Sequence, residues 1–167
     1  MPPESGRRVV GVERTGVTTT AAGPAGPGEA SLWRIVAGAH ASSVPQVRHA
    51  VRDLLRQHGL VGERYEELAD GLLLIVSELV TNVVAHAALL TPQVTTEVTI
   101  GAGQVRVAVE DGHPYRPKAV QSDEGQTGGR GLMLVKSIAL AAGGSCDVEQ
   151  TGDGGKVIWA SLPLPRE

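Results

Sequence analysis

Residues 72–86, LLLIVSELVTNVVAH, read as an apolar helix that nevertheless carries polar side chains at a fixed interval. Glu78, Asn82 and His86 follow one another at steps of four residues. Residues four apart lie on nearly the same helical face, roughly 6 Å apart along the axis. Because a carboxylate or an amide is costly to bury without partners, something polar must meet this stripe. Two interpretations are open: a divalent metal carrying a phosphate, or a structural hydrogen-bond network.

Composition narrows the class of protein. The chain has 167 residues, of which 41% are hydrophobic, enough for one folded domain with a real core. Its net charge of −3 argues against a protein that binds nucleic acid directly. The one cysteine, Cys146, excludes an intrachain disulfide and a Cys-rich zinc site. With neither a long apolar run nor a signal-peptide pattern, we expect a cytoplasmic protein without a membrane partner.

The order of patterns along the chain predicts one α/β domain after a tail. Residues 1–29 are rich in Pro, Gly and Thr, and we predict a flexible tail there, followed by a domain over residues 30–167. Helical spacing and alternating apolar residues then predict helices over about 43–59, 63–88 and 131–140, and strands over about 31–37, 94–100, 105–109, 145–151 and 156–162. Together, these predicted helices and strands form a largely antiparallel sheet with helices packed on one face.

The chemistry that the polar stripe could perform depends on two of its residues. A carboxylate such as that of Glu78 acts as a general base or as a hard oxygen ligand. The side-chain carbonyl of Asn82 is a natural ligand for Mg²⁺, which usually keeps waters and binds substrate phosphates. In the structural alternative, Glu78 is solvated and Asn82 bonds locally. The spacing alone favours that alternative.

Asp111-Gly112 stands at the end of an apolar strand. A carboxylate at that point could accept a hydrogen bond from the exocyclic amine of adenine. Asp-Gly is also a common turn pair, and without other signals the turn is the better interpretation. The polar stretch that follows, residues 112–128, has no regular period, and a loop of that length in a compact domain is more often functional than idle.

Glycines mark the start of the third predicted helix, in the segment Thr127-Gly-Gly-Arg-Gly-Leu-Met-Leu-Val135. Glycines at a helix N-terminus expose backbone N–H groups, and the helix dipole favours an anion there. Arg130 could add a charge to a phosphate. The segment is neither a Walker A loop nor a dinucleotide fingerprint. The alternative is an ordinary helix start after a flexible loop.

Each signal is weak, but their order is specific. The order is Glu-x-x-x-Asn on a helix, an Asp at a strand end, and a loop into Gly-x-Gly-Leu. In this order the chain resembles the GHKL ATPase superfamily, and within it the anti-sigma-factor serine kinases and related small bacterial ATP-binding regulators. The resemblance covers about residues 31–163 and is carried by four stretches: residues 77–87, 109–117, 128–135 and 155–159. It implies a two-layer α/β sandwich of the Bergerat type that binds ATP and Mg²⁺.

The resemblance also implies a role for each matching position. Asn82 would be the Mg²⁺ ligand and Glu78 the general base that activates a protein hydroxyl or water. Asp111 would bind the adenine amine. The start of the third helix would line the phosphates, through Gly129 and Gly131 with a charge from Arg130. Residues 112–128 would form the nucleotide lid.

Two positions depart from the pattern of the superfamily. His113 stands where a glycine is usual in the adenine-binding motif, and Val157 where a threonine is frequent. Both changes are expected to alter the adenine-binding pocket rather than the metal site.

Three functions follow from the resemblance. The first is a serine/threonine kinase that transfers the γ-phosphoryl group of ATP to a protein antagonist and binds a sigma factor. Such kinases often dimerise, so a homodimer is one expected state. The second is a non-catalytic or weakly nucleotide-binding interaction module of the same fold, which His113 and Val157 would favour. The third, a detached sensor histidine-kinase domain, is disfavoured because no dimerisation and phospho-acceptor helices are evident in the sequence.

Overall fold

Seven antiparallel strands form a single sheet in the computed structural model, which describes residues 12–14, 16–23, 30–87, 93–111, 129–150 and 155–166. The strand order across the sheet is β1-β2-β3-β4-β5-β7-β6. The strands are β1 Val12–Arg14, β2 Val17–Gly23, β3 Ser31–Gly38, β4 Gln93–Gly101, β5 Gln104–Asp111, β6 Ser145–Gln150 and β7 Lys156–Pro163.

Three α-helices accompany this sheet within the described ranges: α1 Ser43–Gln57, α2 Glu66–Ala87 and α3 Gly129–Ala141. A short 3-10 turn, Glu63–Tyr65, leads into α2. The predicted end of α1 at Gly59 is confirmed, because Gly59 has a φ of 73° that favours glycine and Leu60 N–H donates back to Leu55 O. The periodic apolar residues of α1 are buried, as their spacing predicts: Val47, Val51, Leu54 and Leu55.

Within the described residues, the helices pack on one face of the sheet. In β5, Val105, Val107 and Val109 are buried, and they lie opposite Leu162, Ala160 and Ile158 of β7. Since side chains alternate between the two faces of a strand, these residues define an inner face. α1 contacts β2 and β3, α2 contacts β4, β5 and β7, and α3 contacts β6 and β7. The predicted two-layer α/β architecture is therefore confirmed.

α2 is the central helix of the core. It is apolar and long enough to cross a membrane by length and composition. Its apolar stripe, however, is buried against the rest of the domain: Leu68, Leu72, Leu73, Ile75, Val76, Leu79, Val80 and Val83. Packing in the core therefore accounts for the composition of this helix.

The sheet extends into the segment predicted as a flexible tail, so that prediction is wrong for β1 and β2. Val17 pairs with Ala37 of β3 and is 4% exposed. The reason lies in the local sequence Val17-Thr-Thr-Thr20, since β-branched residues favour strands. The Pro and Gly content of residues 1–29 as a whole concealed this short run.

Candidate functional site

Two glycines mark the contact between α2 and α3. A Cβ added at Gly71 of α2 would lie 3.3 Å from Ile138 of α3, and one added at Gly131 of α3 would lie 2.7 Å from Glu78 of α2. Glu78 is seven residues after Gly71, and Gly131 is seven residues before Ile138. The two helices therefore run antiparallel, and the start of α3 lies beside the second half of α2.

The carboxylate of Glu78 lies directly against the first turn of α3. Its Oε2 occupies the space that a side chain at residue 131 would fill, since it would be 2.7 Å from an added Cβ. The first N–H groups of a helix have no partner within the helix, and the helix dipole is positive at this end. Two predicted site residues from distant parts of the sequence, Glu78 and Gly131, are thus brought into contact.

Asn82 lies one helical turn beyond Glu78 on the same face of α2. It is half-buried, whereas its neighbours Leu79 and Val83 are buried in the core. α2 therefore divides between a core face and a partly open edge. Glu78 on this edge meets the start of α3, and Asn82 lies one helical turn farther along the same edge.

These oxygen donors fit a magnesium ion that is held jointly with a ligand. Mg²⁺ commonly takes one or two protein oxygens, retains waters and completes its shell with substrate phosphates. In the part of the chain that the structure describes, no group of three His, Cys, Asp or Glu side chains could hold a metal. Two oxygen-bearing side chains on one helix edge suit a metal that is shared with a phosphate better than a metal bound by protein alone.

Asp111 is the last residue of β5, and its position lies opposite Lys156 in the register with β7. Two and four residues before it, Val109 and Val107 are buried on the strand face that carries the helices. The predicted position at a strand end is confirmed. The side chain of Asp111 lies outside the described part of the structure.

Lys156 is a residue that the sequence reasoning missed at this edge. It is 7% exposed and shares the inner face of β7 with the buried Ile158. Val157, which we expected in the base pocket, lies opposite Glu110 and Glu149 and therefore on the outer face. The β7 residue opposite Asp111 is therefore Lys156, and not Val157 as the expectation for the base pocket requires.

The remaining predicted residues are placed only in part. Gly129 and Arg130 open α3, two residues before the predicted start at Gly131, and their side chains lie outside the described residues. The same holds for the side chain of His86 in α2. The predicted lid, residues 112–128, which includes His113, lies outside them entirely.

A separate groove of about 470 Å³ lies between α1 and the first half of α2. Its walls include Arg52 and Arg56 of α1, Tyr65, and Ala69 and Leu73 of α2. It contains none of the predicted site residues and opens at the opposite end of α2 from Asn82. We therefore place the candidate site at the start of α3 and not in this groove.

Comparison with known proteins adds a family match. The family model of the histidine kinase-like ATPase domain matches residues 37–162. Two solved structures from Erythrobacter litoralis EL346 are similar, each with 29% identity over 59% of this chain and a TM-score of 0.45. They are the histidine kinase domain of a blue-light activated histidine kinase and that blue-light activated histidine kinase, of which this chain covers 45% and 33%. No curated protein sequence matches the chain.

Proposed function

Because the chain belongs to the histidine kinase-like ATPase domain family, we propose that it is an ATP-binding regulatory kinase of the anti-sigma-factor type. It would transfer the γ-phosphoryl group of ATP to a serine or threonine of a protein antagonist. The observation that carries this proposal is the contact of Glu78 with the Gly131 backbone, because it places a carboxylate beside a helix start suited to phosphates.

Phosphoryl transfer mainly requires that the reacting groups are positioned and that charge on the phosphates is stabilised. Each residue of the site would have one part in this. Asn82 would hold the magnesium ion, which when bound neutralises charge on the phosphates. Glu78 would accept the proton of the attacking hydroxyl. The backbone at Gly129 and Gly131, with the charge of Arg130, would receive the phosphates, and Asp111 would accept a hydrogen bond from the adenine amine.

The proposed partners are proteins, namely the phosphorylated antagonist, a sigma factor, or both. A second copy of the chain is a further proposed partner, since the kinases that this chain resembles often dimerise. We propose the cytoplasm as the compartment, where ATP and such regulators occur.

Substitution of Asn82 tests the metal site directly. ATP binding by wild type and Asn82→Ala would be measured by calorimetry with Mg²⁺ and with EDTA. We expect Asn82→Ala to weaken binding with Mg²⁺ by about tenfold or more, equivalent to about 1.4 kcal/mol, and to leave binding in EDTA unchanged. Thr81→Ala is the matched control, because Thr81 is exposed on the same helix.

The outcomes of this experiment separate the competing functions. Equal Mg²⁺-dependent binding by Asn82→Ala and wild type would remove Asn82 from the metal site. ATP binding by wild type without phosphorylation of an isolated partner would favour the non-catalytic interaction module of the same fold. Absence of ATP binding by folded wild type would refute the proposed function.

A further inference from the structure

Lys156 is a buried lysine at the start of β7. Its residue is 7% exposed, and lysine is among the residues that proteins almost never bury without a partner. Burial of an ammonium group costs free energy unless hydrogen bonds and opposite charge compensate. Lys156 already makes at least one interaction within the chain.

The register of the sheet places Lys156 between two polar positions. Asp111 of β5 lies opposite it on one side and Gln150 of β6 on the other. In antiparallel pairs, the Cβ atoms of directly opposite residues are about 4.5–5.5 Å apart. The next inner-face pair along the two strands, Val109 and Ile158, is apolar and buried. The Asp111–Lys156 pair thus lies where the apolar core ends.

We propose that Lys156 is a specificity-determining residue of the nucleotide site, where its ammonium group donates a hydrogen bond to a ring nitrogen of adenine. This inference rests on the proposed ATP-binding function. Adenine presents its exocyclic amine, a donor, next to ring nitrogens that are acceptors. A carboxylate at residue 111 and an ammonium at residue 156 form the complementary acceptor and donor. Because an ammonium group has three donors, this bond is compatible with the interaction that Lys156 makes within the chain.

The proposal and a purely structural role of Lys156 predict different changes in the affinity for different nucleotides. If Lys156 only stabilised the strand pair, its replacement would alter the binding of every nucleotide to the same extent. A hydrogen bond to the ring makes the effect depend on one atom of the base. Analogues of ATP that lack one ring nitrogen therefore separate the two roles.

The experiment compares wild type with Lys156→Met, which keeps a long unbranched side chain and removes the charge. Calorimetry would measure the binding of ATP, 1-deaza-ATP, 7-deaza-ATP and GTP in the presence of Mg²⁺. We expect Lys156→Met to bind ATP about tenfold more weakly. One deaza analogue should bind wild type about as weakly as the variant binds ATP, and the substitution should not weaken its binding further.

Several outcomes would overturn the inference. Lys156→Met binding ATP as tightly as wild type, or more tightly, would show that the ammonium group does not contact the base. An equal loss for all four nucleotides would assign Lys156 a structural role. GTP bound more tightly than ATP by wild type would overturn the assignment to adenine. The comparison of ATP with its deaza analogues on wild type needs no variant, so equal binding of all three would overturn the inference even if Lys156→Met does not fold. Failure of wild type to bind any nucleotide would refute the proposed function itself.

Discussion

Substitution of Gly131 by alanine should separate the stability of this domain from its function. A Cβ at residue 131 would lie 2.7 Å from Oε2 of Glu78, and ordinary contact begins at 3.4 Å, so the carboxylate must move by about 0.7 Å. A misplacement of about 1 Å can cost a catalytic group about 100-fold in rate. We therefore expect phosphoryl transfer to fall by about 10- to 100-fold, with weaker binding of Mg²⁺ and ATP.

The same substitution should leave the fold intact. The displaced atom is the far end of a flexible side chain, and alanine is better than glycine within a helix by about 0.5–1 kcal/mol. For a chain of this size, that gain corresponds to a rise of about 1–4 °C in melting temperature. Calorimetric ATP binding, single-turnover transfer from labelled ATP and thermal unfolding would be measured on the same preparations.

Gly71→Ala is the matched control for Gly131→Ala. It makes the same change in a helix of the same pair, but its added Cβ would meet apolar atoms of Ile138 and Leu162 at 3.3 and 3.4 Å. ATP binding should be unchanged in this variant. Unchanged binding and transfer in a folded Gly131→Ala protein would contradict the placement of Glu78 in the phosphate site.

Three further predictions concern stability and reactivity. Gly144→Ala should destabilise the protein by about 3 kcal/mol in urea unfolding, because its Cβ would overlap the backbone carbonyl of Ser161. Thr96→Val should stabilise it by about 1 kcal/mol in the same assay, since Thr96 is 0% exposed and its buried Oγ1 has no hydrogen-bond partner among the described residues. Burial raises the pKa of the Cys146 thiol, against the opposing charge of Lys136, so iodoacetamide should alkylate native protein at pH 8 more slowly than urea-unfolded protein. An equal alkylation rate in both states would contradict that pKa direction.

The elements with strong periodic patterns could be predicted from the sequence. The apolar spacing of α1 and α2 predicted their buried faces, and the alternation in β4 and β5 predicted the hairpin. Strands β1 and β2 were not predicted, because Val17-Thr-Thr-Thr20 is a short β-branched run inside a segment rich in Pro and Gly. The pairing of β2 with β3 is a non-local contact that the composition of residues 1–29 does not report.

The candidate site was predictable in its residues but not in its register. Spacing placed Glu78 and Asn82 on one face of α2, yet it could not show that Gly131 would be the residue opposite Glu78. That contact depends on the position of α3 along the axis of α2, and this position is set by side-chain packing along both helices. In β7, an error of one residue exchanged the faces of Lys156 and Val157, because side chains alternate with a period of two.

The contact between Glu78 and Gly131 also bears on the two interpretations of the polar stripe. A side chain at residue 131 would clash with the carboxylate, because Oε2 of Glu78 already occupies the space where a Cβ would stand. The chain instead has glycine there, inside a helix, which costs about 0.5–1 kcal/mol relative to alanine. Local departures from the most stable sequence are expected where function requires them. The glycine lets the Glu78 carboxylate approach bare backbone at a helix start at a cost in helix stability, which favours a functional site over a network that only stabilises the fold.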